Sequence, residues 1–249
     1  MSAAIWPVQG VRSEARNGEF EWVGGFKQRG EDIDRNDNSV NNPYSMARPA
    51  ADRVEVRERI LDAAEELLGR YGYRKMTIDD LASTAGMSKG AVYLHFESKE
   101  DIAIARIDRV IGELLVELEK IARSNRPSTD RLHDMLLTRV LFRLERVRSY
   151  RDTIDQVVAA IRPRLLEARS QHHRQEAALF TAVTRDGVRC RELRPCVAKC
   201  VGEAFVVATN ALLPGDLRPE EIDSVEVRAR LENIANLLIH GIVLPREKR

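Results

Sequence analysis

The chain has 249 residues, of which 32% are charged and 5% aromatic, and 40 Lys and Arg against 39 Asp and Glu leave a formal charge of +1. That length supports one or two domains with a sizeable core, and the many Leu, Ala, Arg and Glu residues favour helices over sheets. Near-neutrality excludes a polycation held to its partner by bulk charge, three cysteines exclude a disulfide scaffold, and no apolar run is long enough to span a membrane.

Residues 1–50 are punctuated by Gly10, Gly18, Gly24, Gly25 and Gly30 and offer little to bury. They are expected to form a disordered N-terminal extension. Trp6, Phe20, Trp22 and Phe26 are unusual for such a tail; they would either dock or lie upstream of a true start near Met46. Periodic order begins after Asp52. Val56, Ile60, Ala63, Ala64, Leu67, Leu68 and Tyr71 recur every three or four residues, the pattern of an amphipathic helix, with Gly72 as its C-cap.

Thr77 and Asp80 stand three apart as a capping pair for a second helix, whose inner stripe is Ile78, Leu81, Ala82 and Ala85. Gly86 supplies the left-handed turn residue, with Met87 beneath it, and Ser88 caps a very short third helix. There Val92 and Phe96, four apart, face inward, while Lys89 and Tyr93 share an outward face and Leu94 is exposed. Ser98 caps a fourth helix with a seam of Ile104, Ile107, Ile111, Leu114, Leu118 and Ile121 that ends near Pro127.

The rest is expected to be helical as well. Leu132, Leu136, Val140, Leu144 and Val147 mark one helix. Ile154, Val157, Val158 and Ile161 mark another, stopped by Pro163. A long helix is expected from Pro163 to Arg185, ending at Asp186-Gly187. Pro195 suits the first position of the next, with Val197, Val201, Ala204, Phe205, Ala208 and Leu212 inside. A loop over 213–219 precedes the last helix, which carries Leu231, Ile234, Ala235, Leu238, Ile239 and Ile242.

Two short helices around a glycine turn, the second small-faced and opened by a lysine, make a helix-turn-helix over about 78–96, the device that places a recognition helix in the DNA major groove. Residues 51–100 carry a net charge of −2, so affinity has to come from a few placed groups. Lys89, Gly90 and Ala91 open the helix. The two small residues permit close approach, Ala91 suits a thymine methyl, and Lys89 suits guanine or a phosphate.

The residues Ile60 to Leu68, Tyr71 to Tyr73, Thr77 to Ala82, Ala85 to Phe96 and Ser98 to Asp101 together resemble the DNA-binding domain of the TetR family of bacterial transcriptional regulators. The resemblance covers about 56–102. It implies that Thr77, Tyr93, His95 and Lys99 hold phosphates, and that Ser88, Lys89, Gly90 and Ala91 form the reading end. It further implies an all-α fold: a three-helix DNA-binding domain at 51–102, joined by a long helix to a helical ligand-binding and dimerisation domain at 103–249. The partners it implies are a double-stranded, palindromic DNA operator, an unidentified small-molecule effector, and a second copy paired through about 195–244. The expected protein is a cytoplasmic repressor without catalytic residues, cofactor or metal.

Other signals are weaker. Cys190, Cys196 and Cys200 cluster and could form a thiol switch, but are read as small buried hydrophobes. His172 and His173 point about 100 degrees apart on a helix and are read as surface groups. Arg139, Arg143 and Arg146 share a stripe that could draw an anion, but are read as a solvated face.

Overall fold

The computed structural model describes residues 50–195 and 197–244. The N-terminal extension with Trp6, Phe20, Trp22 and Phe26, and Cys196 as well, lie outside the described residues. Among the described residues the chain is all-helical, with one isolated bridge between Leu193 and Val243. The α-helices are α1 (Ala50–Lys75), α2 (Ile78–Thr84), α3 (Lys89–Tyr93), α4 (Lys99–Ala122), α5 (Ser128–Val147), α6 (Ile154–Arg189), α7 (Ala198–Ala208) and α8 (Val225–His240). Short 3₁₀ turns cover Arg148–Thr153, Asn210–Leu212 and Pro219–Glu221. No helix among these is long and apolar enough to cross a membrane.

The first core runs from Ile60 and Leu67 of α1 through Leu81, Val92 and Phe96, then through Ile102, Val140 and Ile161, to Leu231 of α8. A second core gathers Leu114, Leu118, Leu132 and Leu136 with Phe180, Phe205 and Ala235. There the Phe180 and Phe205 rings meet edge to face at 5.6 Å, an arrangement that favours the positive edge of one ring over the negative face of the other. Gly202 lets α7 lie close on α6, since a Cβ there would fall 2.6 Å from the Ala177 carbonyl oxygen.

The stripe of α1 differs from expectation at its end. Gly72 breaks the helix at φ +72°, ψ 171°, so Tyr71 turns outward and Tyr73 and Met76 are buried instead. Pro163 does not stop a helix: α6 passes through it and through Asp186-Gly187. Pro163 is exposed, and the helix tolerates the one donor it lacks because Ile154, Val157 and Ile161 before it and Phe180 after it pack into the cores. Gly187 serves packing rather than a turn, because a Cβ would lie 2.6 Å from Leu193 Cδ1.

Nor does Pro195 open a helix. The segment before it is held extended, with the Arg194 amide donating to the Ile242 carbonyl at 2.8 Å, and α7 begins at Ala198. Val197 and Ala204 are accordingly exposed rather than inside.

The arginine stripe of α5 is the largest departure. Arg139 and Arg143 are buried, and Glu176 of α6 lies between them. Arg139 Nε donates to Glu176 Oε2 and Arg143 Nη2 to Oε1, each at 2.5 Å. Arg139 also donates to Thr209 Oγ1 at 2.6 Å and to Asn210 Oδ1 at 2.8 Å. Burial, with Arg143 and Arg169 adding to it, lowers the Arg139 pKa to about 10 against the pull of Glu176. Arg146 of the three is the most exposed, though only partly so, and pairs with Glu113 at 2.6 Å.

Candidate nucleic-acid interface and internal cavity

Local chemistry builds the α2–α3 unit. The Thr77 hydroxyl accepts from the Asp80 amide at 3.1 Å while the Thr77 amide donates to Asp80 Oδ2 at 3.1 Å, the reciprocal capping box read from the sequence. Gly86 takes φ +65°, and the Met87 amide returns to the Ala82 carbonyl at 2.9 Å. Arg59 of α1 closes the end of α2 by donating to the Ala85 carbonyl at 2.6 Å. Ser88 caps α3 by accepting from the Ala91 amide at 3.1 Å. Val92 and Phe96 anchor this unit in the core, and the Arg57 guanidinium lies 4.3 Å above the Phe96 ring.

Anchoring Val92 and Phe96 leaves the opposite side of α3 in solvent. Ser88, Lys89, Gly90 and Tyr93 are exposed, Leu94 is 85% exposed, and Ala91 and His95 are half-buried. Thr77 is exposed at the start of α2. Lys89 bridges α3 to α2 through Asp79 at 2.9 Å, and that carboxylate raises the pKa of its ammonium.

Lys99 stands apart from the other candidates. Its ammonium donates to the Tyr73 and Met76 carbonyls at 3.0 and 3.1 Å and lies 4.3 Å over the Tyr73 ring. It therefore ties the start of α4 to the end of α1. Burial, with Glu100 accepting from the phenol at 3.0 Å, raises the Tyr73 pKa.

Sequence reasoning missed the strap between α1 and α4. Arg109 reaches Asp62 at 2.7 Å, Glu58 at 3.0 Å and Glu65 at 3.3 Å, and Arg106 approaches Glu65 at 2.7 Å. The signal was present: Glu58, Asp62 and Glu65 share one face of α1, and Arg106 and Arg109 stand three apart on α4.

Behind this strap lies a cavity of about 140 Å³. Leu68 of α1, Ile107 and Val110 of α4, Val147 of α5 and Val157 of α6 contribute its apolar wall. His172 and His173 also line it, so neither is the free surface group expected, and His172 pairs with Asp108 at 2.9 Å. Cys190, at the C-terminal end of α6, and Cys200, in the first turn of α7, are exposed rather than buried. No metal-binding cluster occurs among the described residues.

Residues 60–105 match the family described as bacterial regulatory proteins, tetR family. The HTH-type transcriptional regulator EthR of Mycobacterium tuberculosis is 38% identical over 85 residues, which is 34% of this chain and 38% of that protein. The chain's matches to curated relatives span 23 to 43% of those relatives' own length. A TetR/AcrR-family transcriptional regulator from Thermobifida fusca superposes with a TM-score of 0.60 at 22% identity, covering 78% of this chain and 100% of that one. SmeT of Stenotrophomonas maltophilia, in its complex with triclosan, superposes with a TM-score of 0.56 at 22% identity over 77% and 93% of the two chains. These structural likenesses reach well beyond the matched segment and show the fold, and the relatives are named as transcriptional regulators rather than enzymes. Residues 60–105 thus carry the segment described by the family of bacterial regulatory proteins, tetR family, and the described helices share the fold of TetR/AcrR-family regulators.

Proposed function

We propose that the protein is a homodimeric, DNA-binding transcriptional repressor of the cytoplasm, released from a palindromic operator by a small molecule. Residues 51–102 form the reading head, and residues 103–249 sense the effector and dimerise. The observation that carries the reading is the exposed side of α3: a capped five-residue helix anchored by Val92 and Phe96, presenting Lys89, Gly90 and Tyr93 outward. In this reading Gly90 and Ala91 let the helix end approach base edges, Lys89 leaves Asp79 for a base or phosphate, and Tyr93 and His95 hold the DNA backbone. Thr77 and Ser88 present helix N-termini to phosphates. Lys99 acts chiefly by fixing the start of α4, through its ammonium on the Tyr73 and Met76 carbonyls.

Dimerisation through about 195–244 is supported by the exposed apolar residues Val197, Val207, Val225 and Leu237 in and beside α7 and α8. Two recognition helices on a two-fold axis then read two half-sites about one helical turn apart, roughly 34–36 Å. Effector binding is supported by the cavity, which touches α1 as well as α4 to α6. SmeT, of like fold, is known in complex with triclosan. A ligand that fits the cavity in only one orientation of α1 against α4 shifts the population toward that orientation.

Footprinting of the DNA flanking the protein's own gene tests the reading. The expected result is protection of two symmetric half-sites, abolished by Gly90→Leu at unchanged melting temperature. Protection that is absent, or that survives this substitution, contradicts the proposed interface.

A further inference from the structure

The geometry points to an organic anion with an apolar body as the effector, its carboxylate taking the Arg106 guanidinium away from Glu65. This rests on the cavity being the effector site. The free space is roughly ten times what one water needs, and most of its wall is aliphatic. The charged residues on that wall are all arginines, Arg106, Arg143, Arg146 and Arg169, and Tyr150, His172 and His173 are its other polar groups. No aspartate or glutamate lines it. The carboxylates that balance the four arginines stand behind the wall, Glu65, Glu176, Glu113 and Asp216, and Asp108 pairs with the His172 ring. A cation entering the cavity would meet only like charge, and a neutral ligand would leave the polar edge unused.

Arg106 is the group that selects the anion. Its side chain is 4% exposed, and its Nη2 lies 2.7 Å from Glu65. That contact is an ion pair without hydrogen-bond alignment, and Nε and Nη2 both lack a hydrogen-bond partner. These two are the side-on donors of the guanidinium, the pair a carboxylate engages in fork geometry. Buried donors left unmade carry a standing cost that a bidentate anion relieves. Arg143 adds to the preference, because two guanidiniums share the single carboxylate of Glu176, leaving an excess positive charge beside the cavity. Burial chiefly, against the pull of Glu176 and with Arg139, Arg169 and Arg143 acting in the same direction as burial, lowers the His173 pKa to about 4, so its imidazole is neutral near pH 7.

The consequence is regulatory. Glu65 belongs to α1 and also touches Arg109 at 3.3 Å, so it has an alternative partner when Arg106 turns to a ligand. Occupation of the cavity then removes one of the ties between the reading head and α4, while the apolar body of the ligand presses on Leu68 of α1.

Calorimetric titration of the full chain with octanoate, octanol and octylamine tests this. Octanoate is expected to bind at least tenfold more tightly than the other two. Arg106→Gln is expected to abolish that preference while leaving octanol binding unchanged. Glu65→Gln, which frees Arg106 without altering the cavity wall, is expected to tighten octanoate binding several-fold, and it decides the matter if Arg106→Gln does not fold. Octanol binding as tightly as octanoate, no binding of either, or an octanoate preference indifferent to both substitutions overturns the inference. Failure of the regulator reading registers separately, as absence of DNA binding by the unliganded protein.

Discussion

Glu176→Gln is expected to destabilise the protein by about 3–5 kcal/mol, the cost of leaving buried charge without its counter-ion. Arg139 and Glu176 are both 0% exposed at their side chains, and Arg143 is 9% exposed. Glutamine keeps the shape and one acceptor but leaves the two guanidiniums of α5 without a counter-charge from α6. For a domain of this size the loss corresponds to a fall in melting temperature of roughly 10 °C. Replacing all three residues by Leu or Met of similar volume is expected to recover most of it, since desolvation then falls away with the charge. Burial acts to raise the Glu176 carboxyl, but Arg143 and Arg139 outweigh it and hold the pKa below its ordinary 4.5. The contribution of Glu176 is therefore fully present above about pH 4.5 and is lost as pH falls through the lower folded-state value. Glu176→Gln removes that acid-side dependence. Denaturant unfolding at pH 7 and pH 4 measures both effects, and a wild-type-like midpoint in the single variant would contradict the assigned network.

Gly72→Ala is expected to cost about 2–4 kcal/mol, combining backbone strain and overpacking. The φ of +72° with ψ 171° lies in a region that essentially only glycine occupies. A Cβ there would also stand 2.7 Å from Thr153 Cγ2, in the 3₁₀ turn between α5 and α6. The two terms separate in a double-mutant cycle. Thr153→Ala removes the clash and is expected to restore about half the loss, while the strain at residue 72 persists. Because Gly72 positions Tyr73 and Met76, whose carbonyls hold Lys99, the same substitution is expected to loosen the start of α4. A Gly72→Ala stability within 0.5 kcal/mol of wild type, the scatter of ordinary surface changes, would rule this account out.

What was legible in the sequence was what short-range chemistry determines. Thr77 with Asp80, Gly86, Ser88 and the Val92–Phe96 pair all act within four residues, and each performs the local role its residue type and spacing required. The seam of α4 was legible for the same reason, and the apolar stripe of α5 as well. What was not legible depended on partners far along the chain. Arg139 and Arg143 looked solvated because an arginine stripe normally is, and Glu176, more than thirty residues on, reverses that. Pro163 looked like a terminus because its missing donor weakens a helix locally, yet packing before and after it keeps α6 continuous. Lys99 looked like an outward clamp, but the chain reversal at Gly72 delivers two carbonyls to its ammonium. The cavity left no local trace, since α1, α4, α5 and α6 each supply only part of its wall.

The central claim is that the exposed side of α3 holds duplex DNA through a few placed groups rather than through bulk charge. Measuring the equilibrium constant for the footprinted operator across a salt series, for wild type, Lys89→Ala and Tyr93→Phe, tests it most directly. The account predicts a linear fall of log K with log salt for wild type. For Lys89→Ala it predicts weaker binding with a slope shallower by roughly 0.9 for each phosphate that is no longer neutralised. For Tyr93→Phe it predicts weaker binding at nearly unchanged slope, because only a neutral hydrogen bond is removed. Binding that ignores salt and both substitutions would contradict it.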